Sequence, residues 1–514
     1  MFTDEHRCDV WEEIRQQGIR AFADKVTPAV LAETAKRTGV GLVKSPLCAA
    51  NLVWLGIAAA LRTMDDFATV LTATLKLLED QQEFYSTNVG KAKKKGKRGK
   101  HRKGSQATRR TSKHHPYRND PTEVSEEAFV QARQRMPLSF WINLIILLGE
   151  RFQEEHQSLL KFRGFRLLAM DGTCIALPNW KRLKDHFGTA RNVGGDQNAQ
   201  ARMVMLQFPL ARLPYRYELC PLDQGETTIA RRLSQHLCKN DLVLLDACFW
   251  SYGLFWDIQS KGAFFAIPLK GKSINLKRLR QLGPKDQETC WTPKDSRGQW
   301  RKEQLPKSIK LRVISYQLPG FRPQKLLTNV LSPSRISRED WVRLATECSE
   351  NGTFKPGLFH RRWEIETTYR ELKVDQGMEK SLRSRTPESI QFEVAGHVVL
   401  YFLVRWLMVE AGVKHGIDPL RLSFKNALRE LIQIHPSLVT ASRRWLHVLY
   451  GRLLDRIAEH QVPYRPGRSY PRRKQSTNHK RKSKKPKRAN KTTKTTKAKR
   501  HTTKRSTTKT RNKA

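Results

Sequence analysis

The chain has 514 residues and a formal net charge of +48, unevenly placed. Residues 91–115 hold 12 Lys/Arg and residues 464–514 hold 22, neither with an acid, which leaves the body at about +14. A basic body with basic runs selects a polyanion as partner, nucleic acid first, and the lack of bulky apolar residues within those runs argues against a membrane surface.

Such a length accommodates two or three domains. The opening Met-Phe-Thr-Asp-Glu-His is polar and carries no signal-peptide pattern, and eight cysteines lie scattered without a Cys-x-x-Cys pair. Both features give the expectation of reduced thiols in a cytoplasmic protein.

In chain order, residues 1–90 read as a helical N-terminal region that could bind DNA ends. Thr27-Pro28 has the pattern of an N-cap and first helical position, Leu47–Leu61 of a buried helix, and Phe67–Leu78 of an amphipathic one. Residues 91–120 form a basic linker, expected to be disordered. Order restarts at Ser125-Glu-Glu-Ala-Phe, with a helix towards Arg135 and another over Leu138–Leu148. From residue 165 the period changes to that of strands: Phe165–Met170, Arg202–Phe208, Tyr215–Cys220, Asp241–Leu245 and Ala263–Leu269. A helix is expected near Thr227–Cys238, further strands at Leu311–Tyr316 and Lys325–Val330, and a long apolar helix over Ile390–Glu410. From residue 463 the tail is basic, Thr-rich and expected to be disordered.

The stretch Phe359–Lys373 follows Pro356-Gly357 and contains neither Gly nor Pro. Read as one α-helix, at about 100° per residue, it places Phe359, Arg362, Glu366 and Lys373 on one narrow stripe. One carboxylate between two cations suits a surface that holds a metal ion and phosphates together; a surface helix with an i,i+4 ion pair has the same pattern. Glu364, Glu371 and Asp375 point off the stripe and read as solvated face. Asp171 and Asp246 each fall at the C-terminal end of an apolar strand, where open α/β sheets bind ligands. With Glu366 they would make an all-oxygen site suited to Mg²⁺ or Mn²⁺, two ions of which can activate a hydroxyl and stabilise a leaving oxygen. Each Asp also suits a plain turn or helix cap.

Here the chain resembles the DDE transposases of bacterial insertion sequences, in the hairpin-forming branch marked by Y-x2-R-x3-E-x6-K. Phe359, Arg362, Glu366 and Lys373 carry the match, with Leu382-Arg-Ser-Arg-Thr-Pro-Glu388 following. Met170-Asp-Gly-Thr173 and Leu245-Asp-Ala-Cys-Phe-Trp-Ser-Tyr252 resemble the two aspartate motifs, and Leu326-Leu-Thr-Asn329 is a weaker family-like stretch. The resemblance covers roughly residues 120–410 and departs at Phe359, where the signature has Tyr. It implies an α/β protein whose catalytic domain, residues 121–462, has an RNase H-like core with a β-rich insertion at about 270–350. It also implies metal-dependent cleavage of transposon ends, a hairpin intermediate, strand transfer into target DNA, and a homodimer on double-stranded DNA. By position, Asp171, Asp246 and Glu366 would be catalytic and hold two Mg²⁺ or Mn²⁺ ions. Arg362, Lys373, Phe359, Arg383 and Arg385 would contact DNA, and Trp250 is either a base-stacking or a buried ring. Rival readings are a metal nuclease on the same core and a catalytically decayed DNA-binding protein.

Overall fold

The computed structural model describes residues 20–41, 47–61, 126–190, 197–269, 276–293, 305–317, 323–342, 357–440 and 443–463. The helix expected over Phe67–Leu78, the basic linker, Ser125 and the tail beyond residue 463 lie outside these. All described residues belong to one unit, Met1–Pro466.

The sheet is built on one continuous hydrogen-bonded path. Ten strands comprise β1 (Lys161–Phe162), β2 (Phe165–Ala176), β3 (Gln200–Phe208), β4 (Leu213–Cys220), β5 (Asp241–Leu245), β6 (Phe264–Pro268), β7 (Leu276–Gly283), β8 (Asp286–Trp291), β9 (Ile309–Tyr316) and β10 (Gln324–Thr328). Their order is β4-β3-β2-β5-β6-β10-β9-β8-β7, with β1 on β2. The β2–β5 and β5–β6 pairs are parallel and the others antiparallel. Asp-Leu-Val-Leu-Leu of β5 is buried at every position, as a central parallel strand covered on both faces requires. The helix Tyr252–Ser260 makes the crossover from β5 to β6.

One expectation needs correction here. Phe165–Met170 does not end at Asp171: β2 runs on to Ala176, because β3 continues to pair with it as far as Ala176↔Gln200. The expected β-rich insertion supplies strands β7–β10, and they continue the same sheet. β10 pairs antiparallel with β6, at Leu327↔Ile267, so the insertion extends the main sheet. Asn329 locks that seam: its Oδ1 accepts from Phe265 N at 2.8 Å and its Nδ2 donates to Ala263 O at 3.0 Å. Between β8 and β9, Arg312 makes a buried fork to Asp286 at 2.8 and 2.5 Å and also donates to Ile336 O.

Helices cover the sheet's body. Thr27 caps Pro28–Thr38 by accepting from Val30 N, as its sequence position predicts. Ala49–Leu61 is nearly all apolar and accordingly buried. The helix Pro387–His415 starts at Thr386, whose side chain accepts from Ser389 N, with Pro at its first position. By length and composition it could cross a membrane, but its most apolar window is 94% buried within the protein. It crosses Ala49–Leu61 so closely that a Cβ on Gly396 would lie 2.7 Å from Gly56 O. Backbone contact of this kind needs glycine at the crossing.

Candidate functional site

The register of β2 on β5 brings the two aspartates together. Their last parallel pair is Met170↔Leu245, so Asp171 and Asp246 follow on adjacent strands at the same level. Asp171 remains in β2, paired with Met205 of β3, while Asp246 leaves the sheet. Its carboxylate accepts from Cys248 N at 3.4 Å and caps the 3-10 turn Ala247–Phe249, so the helix-cap role read as its alternative is also present. Asp171 Oδ1 accepts from Gly172 N at 2.9 Å, and Tyr369 Oη donates to Asp171 O at 2.7 Å. A Cβ on Gly172 would come within 2.9 Å of Glu226 Cδ, so a larger residue there would require that side chain to swing aside.

Phe359–Lys373 is not one regular α-helix. A 3-10 stretch spans Leu358–Trp363, an α-helix Glu364–Arg370 and a π turn Glu371–Asp375, which Gln376 N closes onto Glu371 O at 2.7 Å. The turn per residue changes along the segment, so the single stripe drawn at 100° does not survive. Arg362 turns inward as a result. Its side chain is 9% exposed and lies 3.8 Å from Asp171 Oδ2, 3.9 Å from Asp246 Oδ1 and 3.2 Å from Glu366 Oε1. Three carboxylates from two neighbouring strands and a helix thus converge on one guanidinium. Glu366, at 56% exposure, faces solvent.

The two aspartates differ in proton affinity. Burial pushes Asp171 up to about 6, assisted by the charges of Asp246 and Glu366 and opposed by the Gly172 N–H and Arg362. Burial also raises Asp246, but Arg362 with the N–H groups of Ala247 and Cys248 outweighs it and holds the carboxyl below its ordinary range. The oxygen-only donor set fits a hard divalent ion in its chemistry. As they lie, no three His, Cys, Asp or Glu side chains among the described residues stand in metal-holding proximity. Arg362 occupies their centre.

The remaining expected residues are dispersed around this point. Lys373 Nζ donates to Thr173 Oγ1 at 3.2 Å and Cys174 O at 2.5 Å, and pairs with Glu379 at 3.2 Å, which ties it to the strand just past Asp171. Phe359 is 8% exposed, within the apolar core. Arg383 N donates to Glu393 Oε2, and the Arg385 guanidinium lies 4.4 Å over the half-exposed Trp180 ring. Trp250 sits in an aromatic cluster, 5.2 Å from Phe255 and 5.3 Å from Trp291.

Two acids read as solvated are paired with Arg212 instead, Glu371 buried and Glu364 partly buried. Glu371 is 2% exposed; Arg212 Nη1 donates to its Oε1 at 3.0 Å and Tyr401 Oη to its Oε2 at 2.7 Å. Glu364 accepts from Arg212 Nε at 2.8 Å. The π turn rotates Glu371 towards the long helix, and Arg212, in the β3–β4 turn with a left-handed φ of 53°, reaches both acids. No sequence pattern pairs Arg212 with residues some 150 positions away. Glu226, against Gly172, is a further acid missed; its place opening the helix Glu226–Ser234 was the available signal.

Residues 163–403 match the family model described as the transposase DDE domain. The chain is 26% identical over 357 residues to the transposase InsG for insertion sequence element IS4 of Escherichia coli (strain K12), a match covering 68% of this chain and 76% of that one. It is also 26% identical over 141 residues to the transposase InsZ of the same strain, covering 27% of this chain and 47% of that one. Among solved structures, a piggyBac transposase synaptic complex with hairpin DNA aligns at a TM-score of 0.30 and 11% identity. The alignment covers 67% of this chain and 66% of that chain.

Proposed function

We infer that this chain, a DDE transposase by its matched domain, performs its DNA cleavage and strand transfer at the cluster of Asp171, Asp246 and Glu366. The convergence of all three carboxylates on Arg362 is the observation that carries the reading. Asp171, Asp246 and Glu366 would hold divalent ions, Mg²⁺ or Mn²⁺ and two of them. When bound, such ions activate a hydroxyl nucleophile and screen the charge that develops during in-line displacement. Asp246, held below its ordinary range, and Asp171, near 6, are both chiefly ionised at neutral pH, Asp171 losing its charge first on acidification.

Lys373 positions the strand that carries Asp171 through Thr173 Oγ1 and Cys174 O, and its ammonium would also face a scissile phosphate's charge. Arg383 and Arg385 lie on the segment leading into the long helix, and we assign them to the DNA backbone. An RNase H-like core is supported by the run β4-β3-β2-β5-β6, antiparallel on one side of β2 and parallel on the other. A hairpin intermediate and a dimer that pairs two ends belong to the same proposal, which rests for them on the family resemblance carried by Arg362, Glu366 and Lys373. The net charge of +48 supplies salt-sensitive attraction to any DNA.

The test is incubation of the full chain with a labelled terminal-repeat duplex and Mg²⁺, beside Asp246→Asn. Metal-dependent cleavage at the repeat boundary, lost in the variant, is the expected result. Binding of the correct end without cleavage would overturn the reading and leave a DNA-binding protein. Cleavage undiminished by Asp246→Asn would move the chemistry to another site.

A further inference from the structure

We propose that Arg362 is the built-in counter-ion of the metal-free site, competing with divalent metal for the three carboxylates until DNA phosphate draws it away. The inference rests on the reading of Asp171, Asp246 and Glu366 as metal ligands. Among the described residues, the ion pairs of these three acids all go to Arg362. The guanidinium therefore neutralises a like-charge cluster that would otherwise repel itself. An arginine guanidinium does not give up its proton in proteins, so the charge can only leave by moving.

The distances say how it is held. Structural arginines in this chain make tight forks: Arg166 donates to both oxygens of Asp241 at 2.7 Å, and Arg312 to both of Asp286 at 2.8 and 2.5 Å. Arg362 lies 3.8 and 3.9 Å from the two aspartates and reaches hydrogen-bonding distance only at Glu366, 3.2 Å away. Charge-assisted bonds of good geometry run to about 2.7–2.9 Å. A cation shared loosely among three acceptors is balanced by charge more than by bonding, which makes it displaceable. Glu366 opens the cluster to solvent on one side, giving an ion a way in.

A divalent cation among the same carboxylates would face the guanidinium's charge at close range, so metal and Arg362 exclude one another there. Phosphate is a strong bidentate partner for arginine. DNA that captures Arg362 would free the carboxylates for metal, and metal would release Arg362 for DNA. Each would then tighten the other's binding, and the DNA-free protein would be poorly loaded with metal.

Mn²⁺ titration of the full chain, followed by electron paramagnetic resonance without DNA, tests this. Arg362→Gln is expected to bind Mn²⁺ roughly tenfold or more tightly than wild type, with Arg362→Lys in between. The gain should vanish in the Arg362→Gln/Asp246→Asn double variant, which locates it. The metal-free Gln variant should melt lower than wild type and gain more in melting temperature on adding Mn²⁺; this readout checks folding as well. An uncleavable end duplex should tighten Mn²⁺ binding by wild type and do so less for the Gln variant. Affinity equal to or below wild type in a folded Arg362→Gln, at a site that Asp246→Asn abolishes, would overturn the competition. A Mn²⁺ signal indifferent to Asp246→Asn would instead sink the metal-ligand reading on which it rests.

Discussion

Asparagine at position 171 should make the metal-free protein more stable at neutral pH, although it removes a site carboxylate. In the unfolded chain Asp171 ionises near the ordinary 3.8, and in the folded chain near 6, with burial as the leading cause. The folded state thus holds the proton more tightly. This group's contribution to stability is full below about pH 4 and is lost as pH rises through about 6. At about 1.4 kcal/mol for each tenfold change in proton affinity, the ionised carboxylate costs up to about 3 kcal/mol at neutral pH, and roughly 1–2 kcal/mol after allowance for solvent screening. The side chain is 18% exposed, so solvent takes up part of that cost. Thermal melts in EDTA from pH 4 to pH 8 read the effect. Asp171→Asn should match wild type near pH 4 and melt a few degrees higher at pH 7.5. Asp246 is held below its ordinary range, so Asp246→Asn should be destabilising at pH 7.5, and the difference should disappear on acidification. A variant at 171 that melts below wild type at pH 7.5 would show that pairing with Arg362 outweighs burial, and would refute the reasoning.

Two further predictions concern the scaffold. Gly396→Ala drives a methyl to within 2.7 Å of Gly56 O at the helix crossing and should cost about 1–3 kcal/mol in urea unfolding, with the β-sheet signal by infrared unchanged under native conditions. Arg312→Ala strands Asp286 in the core between β8 and β9 and should cost about 3–5 kcal/mol, whereas Arg312→Met with Asp286→Leu should recover most of that loss.

Much of the fold was legible because its signals are local. The alternation and apolar runs of β2, β3, β4, β5 and β6 stand in the sequence, as do the Thr27 and Thr386 caps. The two aspartates could be singled out because the residue after an apolar strand is a recognisable place, and the register of β2 on β5 sets them side by side. Strand ends were less legible: β2 runs beyond Asp171 because β3 pairs with it, and partner length is not written in Phe165–Met170. The segment carrying Glu366 was the largest misreading of geometry. Its helix-forming residues fit one α-helix, whereas the segment runs as a 3-10, α and π succession with Glu371 paired to Arg212. That succession turns Arg362 inward and buries Glu371, neither of which a constant angle per residue could anticipate. The meeting of the insertion with β6 was equally invisible, since it depends on which free edge a distant strand finds.

The manner in which the insertion joins the sheet has consequences for how such chains can vary. β10 is sewn to β6 next to the site, whereas β7, the far strand, has an outward row of exposed residues that includes Lys277, Arg278 and Arg280. Length added or removed at the β7–β8 hairpin would therefore be absorbed at the rim farthest in strand order from Asp171 and Asp246. The seam at Asn329 would stay in register while the outer strands lengthen, shorten or recharge. A lineage could thus remodel that rim freely while leaving the two-strand bed of its aspartates intact.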